Sequence, residues 1–322
     1  MLRGLKRYVK AGEGSVEITA IVTVSDDGGS SGRLRREFDV LPPGDIRNCM
    51  VALSEDETLL TRLFQYRFSS GRGLKGHSFG NLFLTAMTHL TGEFASAVTL
   101  SSQVLHVLGR IYPATSAKVS LEATLADGRH VAGETRISRS RVPIDRVALK
   151  PGRPKPLAET LEAIANADLI TLGPGSLFTS VIPNLLVAGI PQAIAKSPAL
   201  KAYFVNLMSQ PGETTSFRAS DHVKALLRHC GRARHILDVC VVNTARLQGR
   251  ALRKYQAQSA QPVENDVENL AALGIDVLVT DLLRMRRAGP DAMIRHDPGV
   301  IGAVAIELAQ QGRRRKRRLN LL

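Results

Sequence analysis

Short apolar runs rich in β-branched residues alternate along this chain with longer stretches of helical spacing. Residues 17–24 (EITAIVTV), 168–175 (DLITLGPG), 190–196 (IPQAIAK), 236–244 (ILDVCVVNT) and 276–283 (DVLVTDLL) read as strands. Residues 77–90 (HSFGNLFLTAMTHL), 94–109 (FASAVTLSSQVLHVLG), 157–167 (LAETLEAIANA), 220–230 (SDHVKALLRHC) and 266–274 (DVENLAALG) read as helices. Ser220 stands where it would cap the fourth of these. Strands that are apolar almost throughout, with helices between them, predict an α/β protein whose mainly parallel sheet is covered by helices on both faces.

Residues 118–138 (KVSLEATLADGRHVAGETRIS) break this alternation. Ala-Asp-Gly between two alternating segments predicts a small antiparallel β-hairpin insertion at about 117–149. A proline-rich break at 149–156 (LKPGRPKP) follows, and the α/β pattern resumes at once. Residues 1–322 are therefore expected to form a single α/β domain carrying the insertion and ending in a basic tail, 313–322.

Composition narrows the function. The 322 residues are 44% hydrophobic, ample for a sizeable core. Pro and Gly interrupt the longer apolar stretches, so no membrane span is expected, and MLRGLKRYVKAGEG lacks the apolar centre of a signal peptide. Cys49, Cys230 and Cys240 have neither metal-ligand spacing nor the density of a disulfide scaffold, which points to the cytoplasm. The net charge of +14 invites nucleic acid, yet six of the cations are the run Arg313–Arg318, expected to be a solvated, disordered tail. Only 4% of residues are aromatic, and no nucleic-acid module is recognisable. The basic balance suits small phosphate-bearing ligands better than nucleic acid.

In a doubly wound sheet, ligands bind beyond the carboxyl ends of the strands. Three turns could meet there. The first is Asp26-Asp27-Gly28-Gly29-Ser30-Ser31-Gly32, after the first strand. The second is Gly173-Pro174-Gly175-Ser176, and the third is Ser209-Gln210-Pro211-Gly212-Glu213-Thr214. Gly173, Gly175 and Ser176 open a helical stretch, so backbone N–H groups could cradle an anion there; the alternative is a tight turn with Ser176 as a cap. Asp26 and Asp27 could ligate Mg²⁺ or accept hydrogen bonds from a sugar, or they could simply form the turn. No cofactor beyond that Mg²⁺ is implied. Asp45, Arg47 and Asn48 begin one helical pattern; His77 and Asn81 begin another. They offer an acceptor, a cation, an amide and an acid/base group, or else ordinary capping.

Taken together, several segments resemble the bacterial gluconeogenesis factor family (YvcK-like), within the CofD-like group named for 2-phospho-L-lactate transferase. They are 19–53 (TAIVTVSDDGGSSGRLRREFDVLPPGDIRNCMVAL), 74–86 (LKGHSFGNLFLTA), 169–187 (LITLGPGSLFTSVIPNLLV) and 206–226 (NLMSQPGETTSFRASDHVKAL), with Tyr255 and the IRHDP segment following. The resemblance implies a Rossmann-like fold and a cytoplasmic protein needed for cell shape and wall growth on gluconeogenic carbon sources. It also implies a UDP-sugar ligand, UDP-N-acetylglucosamine, and leaves room for oligomers and protein partners. Tyr255 and Arg295 match positions associated with the nucleotide-sugar, where Tyr255 could stack on uracil and Arg295 could pair with the diphosphate. The local alternative is a surface tyrosine and an Arg295–Asp297 ion pair. The transferase branch implies a second reading, a Mg²⁺-dependent transferase. Two departures stand out. The family opens with a short strand and a GGGTG-type loop, whereas this sequence starts at Met1-Leu2-Arg3-Gly4, and loss of that strand would leave a neighbouring strand edge unpaired. Glu213-Thr214-Thr215-Ser216 stands where the family more often has Thr-Asp-Gly.

Overall fold

A computed structural model describes residues 1–11, 16–55, 59–284 and 293–319. In chain order, α1 (Leu2–Lys10) precedes β1 (Thr19–Val22), α2 (Gly29–Phe38), α3 (Gly44–Leu53), α4 (Leu59–Gln65), α5 (Phe79–Thr91) and α6 (Phe94–Val104). Then come β2 (Arg110–Pro113), β3 (Ser120–Leu125), β4 (His130–Ala132), α7 (Glu134–Ile137), β5 (Ile144–Lys150) and α8 (Ala158–Asn166). After β6 (Leu169–Leu172) a π-helical turn, Leu177–Val181, leads into α9 (Ile182–Leu185) and α10 (Ile190–Lys196). The remainder is β7 (Leu200–Phe204), α11 (Ala219–His229), β8 (Val239–Asn243), α12 (Gly249–Gln256), α13 (Val267–Ala272), β9 (Asp276–Thr280), the short strands β10 (Leu283–Arg284) and β11 (Arg295–His296), and α14 (Pro298–Leu319).

β6, β7, β8 and β9 form a four-stranded parallel sheet in that order, and β1 pairs with β2 in a second parallel piece. Successive strand residues point to opposite faces, and the packing divides accordingly. Ala202, Phe204, Val239 and Val241 pack in one apolar cluster with Ile301, Val304, Ala305 and Leu308 of α14. Tyr203, Cys240 and Val242 join the other, with Ala219, Val223 and Leu226 of α11. Helices thus cover both faces, as the near-continuous apolar strands require. Among the described residues β1 has a backbone partner only in β2, and β6 only in β7, so each keeps one unpaired edge.

Three expectations need correction. Residues 190–196 are helix α10, not strand. Gly189, at φ +86, turns the chain into it, Pro191 sits at its start, and Ile190 and Ile194 bury one turn apart. That spacing outweighs the β-branched content. Ser220 is not the cap of α11. The cap position is Arg218, and Ser220 instead gives its N–H and hydroxyl to Asp266 at 2.9 and 2.5 Å. The basic run is not a loose tail. Residues 313–319 continue α14, while 320–322 lie outside the described residues. Arg313 pairs with Asp168 at 3.0 Å, Arg315 with Asp238 at 3.1 Å, and Lys316 donates to the Asn166 carbonyl at 3.0 Å.

The insertion is a three-stranded antiparallel sheet, β4–β3–β5, with α7 between its second and third strands in sequence. No single helix among the described residues is long and apolar enough to cross a membrane. The bent pair Leu177–Leu185 and Ile190–Lys196 meets the length and composition. Its Leu177, Phe178, Ile182, Leu185 and Ile190 are nevertheless buried in the core.

Backbone crowding fixes where α14 lies. A Cβ on Gly312 would fall 1.9 Å from the Asp168 carbonyl oxygen. Gly312→Ala is expected to cost about 1–3 kcal/mol by overpacking. Arg314→Ala, at an exposed neighbour, should stay within about 0.5 kcal/mol of wild type. Thermal unfolding of both variants checks this; equal stabilities would show that the contact yields freely.

Candidate functional site

Three helix starts converge around Asp26. The chain leaves β1 and makes a tight turn in which the Gly28 N–H donates to Asp26 Oδ1 at 2.8 Å. Gly29, at φ +45, then starts α2. Ser30 Oγ lies 3.0 Å from His77 Nδ1 and accepts the Ser78 N–H at 3.3 Å. Asn81 Nδ2 donates to Ser31 Oγ at 3.4 Å, so the starts of α2 and α5 are stitched together. The start of α3 closes the third side. A Cβ on Gly44 would fall 2.4 Å from Ser31 Oγ and 3.0 Å from Asp26 Oδ2. Arg47 bridges outward, donating to Ser78 Oγ at 3.0 Å and Asn48 Oδ1 at 2.7 Å. Asp26, Asp27, Gly28, Gly29, Ser30, Asp45, Asn48, His77 and Asn81 therefore belong to one neighbourhood.

Its electrostatics favour neutral groups. Burial, reinforced by the Asp26 charge, pushes Asp45 up to about 6 against the pull of Asn48 and Arg47. Burial also lowers His77, helped by Arg33 and opposed by Glu37, which disfavours its charged form. Asn81 Oδ1 is buried with no hydrogen-bond partner.

Asp27 does a different job from its neighbour. Its Oδ1 accepts the N–H and hydroxyl of Thr135, both at 2.9 Å, and so holds the start of α7. Gly133, at φ +94, is required there, since a Cβ would fall 2.1 Å from Asp27 Oδ2. The far end of α7 is held too. Ser138 donates to Glu213 Oε1 at 2.9 Å, and a Cβ on Gly212 would meet the Ser140 carbonyl at 2.1 Å. Between these holds sits Glu134. Burial first, then Asp26, Asp45, Glu213 and Asp27, push its carboxyl up to about 8, and its Oε2 has no partner.

The Gly173-Pro174-Gly175-Ser176 turn is joined to this neighbourhood through Glu213. Gly173, at φ +71, lies where a Cβ would fall 2.9 Å from the Phe204 carbonyl oxygen. Some of the donors at this turn and in the helical stretch after it are engaged within the protein. Gly175 N–H meets Asn206 Oδ1 at 3.3 Å, while the Phe178 N–H and the Thr179 hydroxyl (3.3 Å) serve Glu213. Ser176 Oγ accepts from Gln210 Nε2 at 2.8 Å. Glu213, 3% exposed, thus takes donors from the helical stretch that follows the turn.

Tyr255 and Arg295 sit together elsewhere. The Tyr255 hydroxyl donates to the Ile294 carbonyl at 3.5 Å, next to the exposed Arg295, which touches Met293 Sδ at 3.4 Å. Asp297 accepts the Gly299 and Val300 N–H groups at 2.7 and 3.2 Å and forms no ion pair with Arg295. His296 Nε2 reaches the Val205 carbonyl at 3.1 Å, one residue before Asn206, so this pair adjoins the Gly175 turn. No hydrogen bond or ion pair among the described residues joins Tyr255 or Arg295 to Asp26 or His77.

Sequence reasoning missed Glu134, Asn206 and the anchoring role of Glu213; only the odd Glu213 in a loop of small residues hinted at the last. Among the described residues, no group of three or more His, Cys, Asp and Glu side chains is arranged to hold a metal ion.

A family model described as 2-phospho-L-lactate transferase CofD matches residues 1–283. The chain is 47% identical over 311 residues to the gluconeogenesis factor of Bacillus subtilis, covering 97% of this chain and 94% of that protein. It is 47% identical over 307 residues to the gluconeogenesis factor of Halalkalibacterium halodurans, covering 95% and 92%. It spans 65% of the length of a relative from Nostoc sp., at 48% identity. The crystal structure of protein BH3568 from Bacillus halodurans superposes with a TM-score of 0.88 at 46% identity, over 95% of this chain and 94% of that one.

The raised carboxyls link stability to pH. Folded Glu134 and Asp45 hold their protons to about 8 and 6, above the ordinary values of 4.5 and 3.8. At these two groups the folded state then binds more protons than the unfolded one, so their contribution to stability is fully present below about pH 4 and is lost as pH rises through these windows. Glu134→Gln should lose less stability between pH 5 and 8 than wild type, by on the order of 2 kcal/mol after discounting for partial exposure. Denaturant unfolding at the two pH values measures this; parallel losses would remove Glu134 as the cause.

Proposed function

Because this chain belongs to the CofD family, we propose that it is a gluconeogenesis factor that binds a UDP-sugar, UDP-N-acetylglucosamine. In this reading it acts in the cytoplasm as a regulatory protein for cell morphogenesis and wall growth under gluconeogenic conditions. The observation that carries the reading is the placement of Tyr255 beside Arg295, tied through the Ile294 carbonyl. An aromatic face for uracil and an exposed guanidinium for the diphosphate then share one surface. Two further facts support it. The Gly175 N–H is engaged by Asn206, and the Thr179 hydroxyl beyond it by Glu213, so fewer donors are left at that turn to compete with Arg295 for the diphosphate. Asp297, engaged by backbone N–H groups, leaves that guanidinium available.

Calorimetry with UDP-N-acetylglucosamine tests the reading. Saturable binding is expected, weakened at least about tenfold by Tyr255→Ala and by Arg295→Ala, since a stacked base or a charged hydrogen bond contributes about 1–3 kcal/mol. Absence of binding by the whole chain would overturn it.

One observation favours a second reading, a CofD-like transferase acting on a phosphorylated or nucleotide-linked substrate. Glu134 and Asp45 are pushed to about 8 and 6, close to the range suited to general acid–base work. Turnover of such a substrate abolished by Glu134→Gln, with sugar-nucleotide binding retained, would establish this alternative.

A further inference from the structure

The insertion carries a second surface, facing away from the core. In β3, Leu121, Ala123 and Leu125 are buried, so Glu122 and Thr124 point to the opposite face. Cross-strand register arranges that face in rows. His130, Thr124 and Arg146 form one row, and Ser120 and Lys150 form another. Between them the row of Ala132, Glu122 and Ala148 has two methyl-sized members. Small residues flanked by long ones leave a depression of about 450 Å³, lined by Glu122, Thr124, His130, Arg146, Ala148 and Lys150.

We propose that this depression is a binding site for a small phosphate-bearing anion. Charge and rigidity both favour it. Residues 117–156 carry nine Lys and Arg against four Asp and Glu. Within the depression the single acid, Glu122, is neutralised by Lys150 at 3.7 Å. Arg146 has no acidic partner among the described residues, and its planar fork suits bidentate contact with phosphate. His130 Nδ1 lies 3.2 Å from Thr124 Oγ1, leaving Nε2 for a ligand. The floor is held from beneath. The Val147 N–H donates to His229 Nε2 at 3.0 Å, His229 Nδ1 donates to the Ala225 carbonyl at 2.7 Å, and Arg228 pairs with Asp145 at 2.8 Å. β5 is thereby pinned to α11, so the backbone that carries Arg146 and Lys150 is fixed before any ligand arrives. The volume falls in the range of small-molecule sites.

Inorganic pyrophosphate is the probe, titrated calorimetrically at low salt into the whole chain carrying Arg295→Ala, so that the nucleotide-sugar surface does not contribute. Saturable binding is expected there. Adding Arg146→Ala should weaken it at least about tenfold, and Glu122→Gln should tighten it about threefold by removing the one repulsive charge. Arg146 is exposed, so thermal unfolding of its variant should match the parent. No saturable binding, or equal binding by the Arg146→Ala and Glu122→Gln variants, overturns the proposal. Failure here leaves the UDP-sugar reading intact, because that test reads Tyr255 and Arg295 with a different ligand.

Discussion

The arrangement around the candidate site depends on a carboxyl group buried without a cation. Glu213 is 3% exposed, and its Oε1 gathers the hydroxyls of Ser138 and Thr179 at 2.9 and 3.3 Å, with the Phe178 N–H also facing the group. Burying a carboxylate is costly, and these hydrogen bonds offset only part of that cost. Burial accordingly raises its affinity for a proton. The same group satisfies the start of the π-helical turn after β6 and anchors the end of α7, so two distant segments are fixed by one side chain. Removing it would leave a buried amide and two hydroxyls without their acceptor.

α7 is the element that converts this into a site. Its start is held by Asp27 and its end by Glu213, which suspends Glu134 among Asp26, Asp45 and Glu213. Like charges at such range cannot all ionise, and the burden falls on Glu134, whose burial is reinforced by four neighbouring carboxyls and offset by no hydrogen bond, hence a carboxyl pushed up to about 8. The insertion thus contributes to the Asp26 neighbourhood on one side and presents its basic rows on the other. Asp26 and Asp27, adjacent in sequence, end with separate tasks. One turns the chain into α2, and the other holds α7.

Much of the fold was legible because it rests on local periodicity. The runs around β1, β6, β8 and β9 and the spacing in α5, α8, α11 and α13 need no knowledge of distant partners. Residues 190–196 misled because a short apolar run looks alike in strand and helix. Only Gly189 and Pro191 at its start separate the two. The Asp26 loop and the helix starts at Asp45 and His77 stood out by their turn chemistry, yet their convergence is a tertiary fact. Glu134 and Asn206 left no local mark at all. Their significance comes from partners tens of residues away, as does that of Asp266, which takes the capping task that local reading gave to Ser220.

Charge is better read from its distribution than from its sum. A net +14 suggests a polyanion, but the terminal run spends part of its charge on the protein's own carboxylates. Arg313 and Arg315 meet Asp168 and Asp238, and Asp238 also accepts the Lys201 N–H at 2.9 Å. Exposed pairs of this kind contribute about 0–1 kcal/mol each, so their consequence is less stability than placement. They keep α14 against the ends of β6 and β7 and pair two of the six terminal cations with carboxylates. An approaching anion gains most where a guanidinium has no carboxylate in contact, since no existing pair must be broken. Arg295 beside Tyr255 meets that condition among the described residues, and so does Arg146 on the insertion. The turn after β6 carries no guanidinium, and its Gly175 N–H is engaged by Asn206 while Glu213 takes the Thr179 hydroxyl just beyond it.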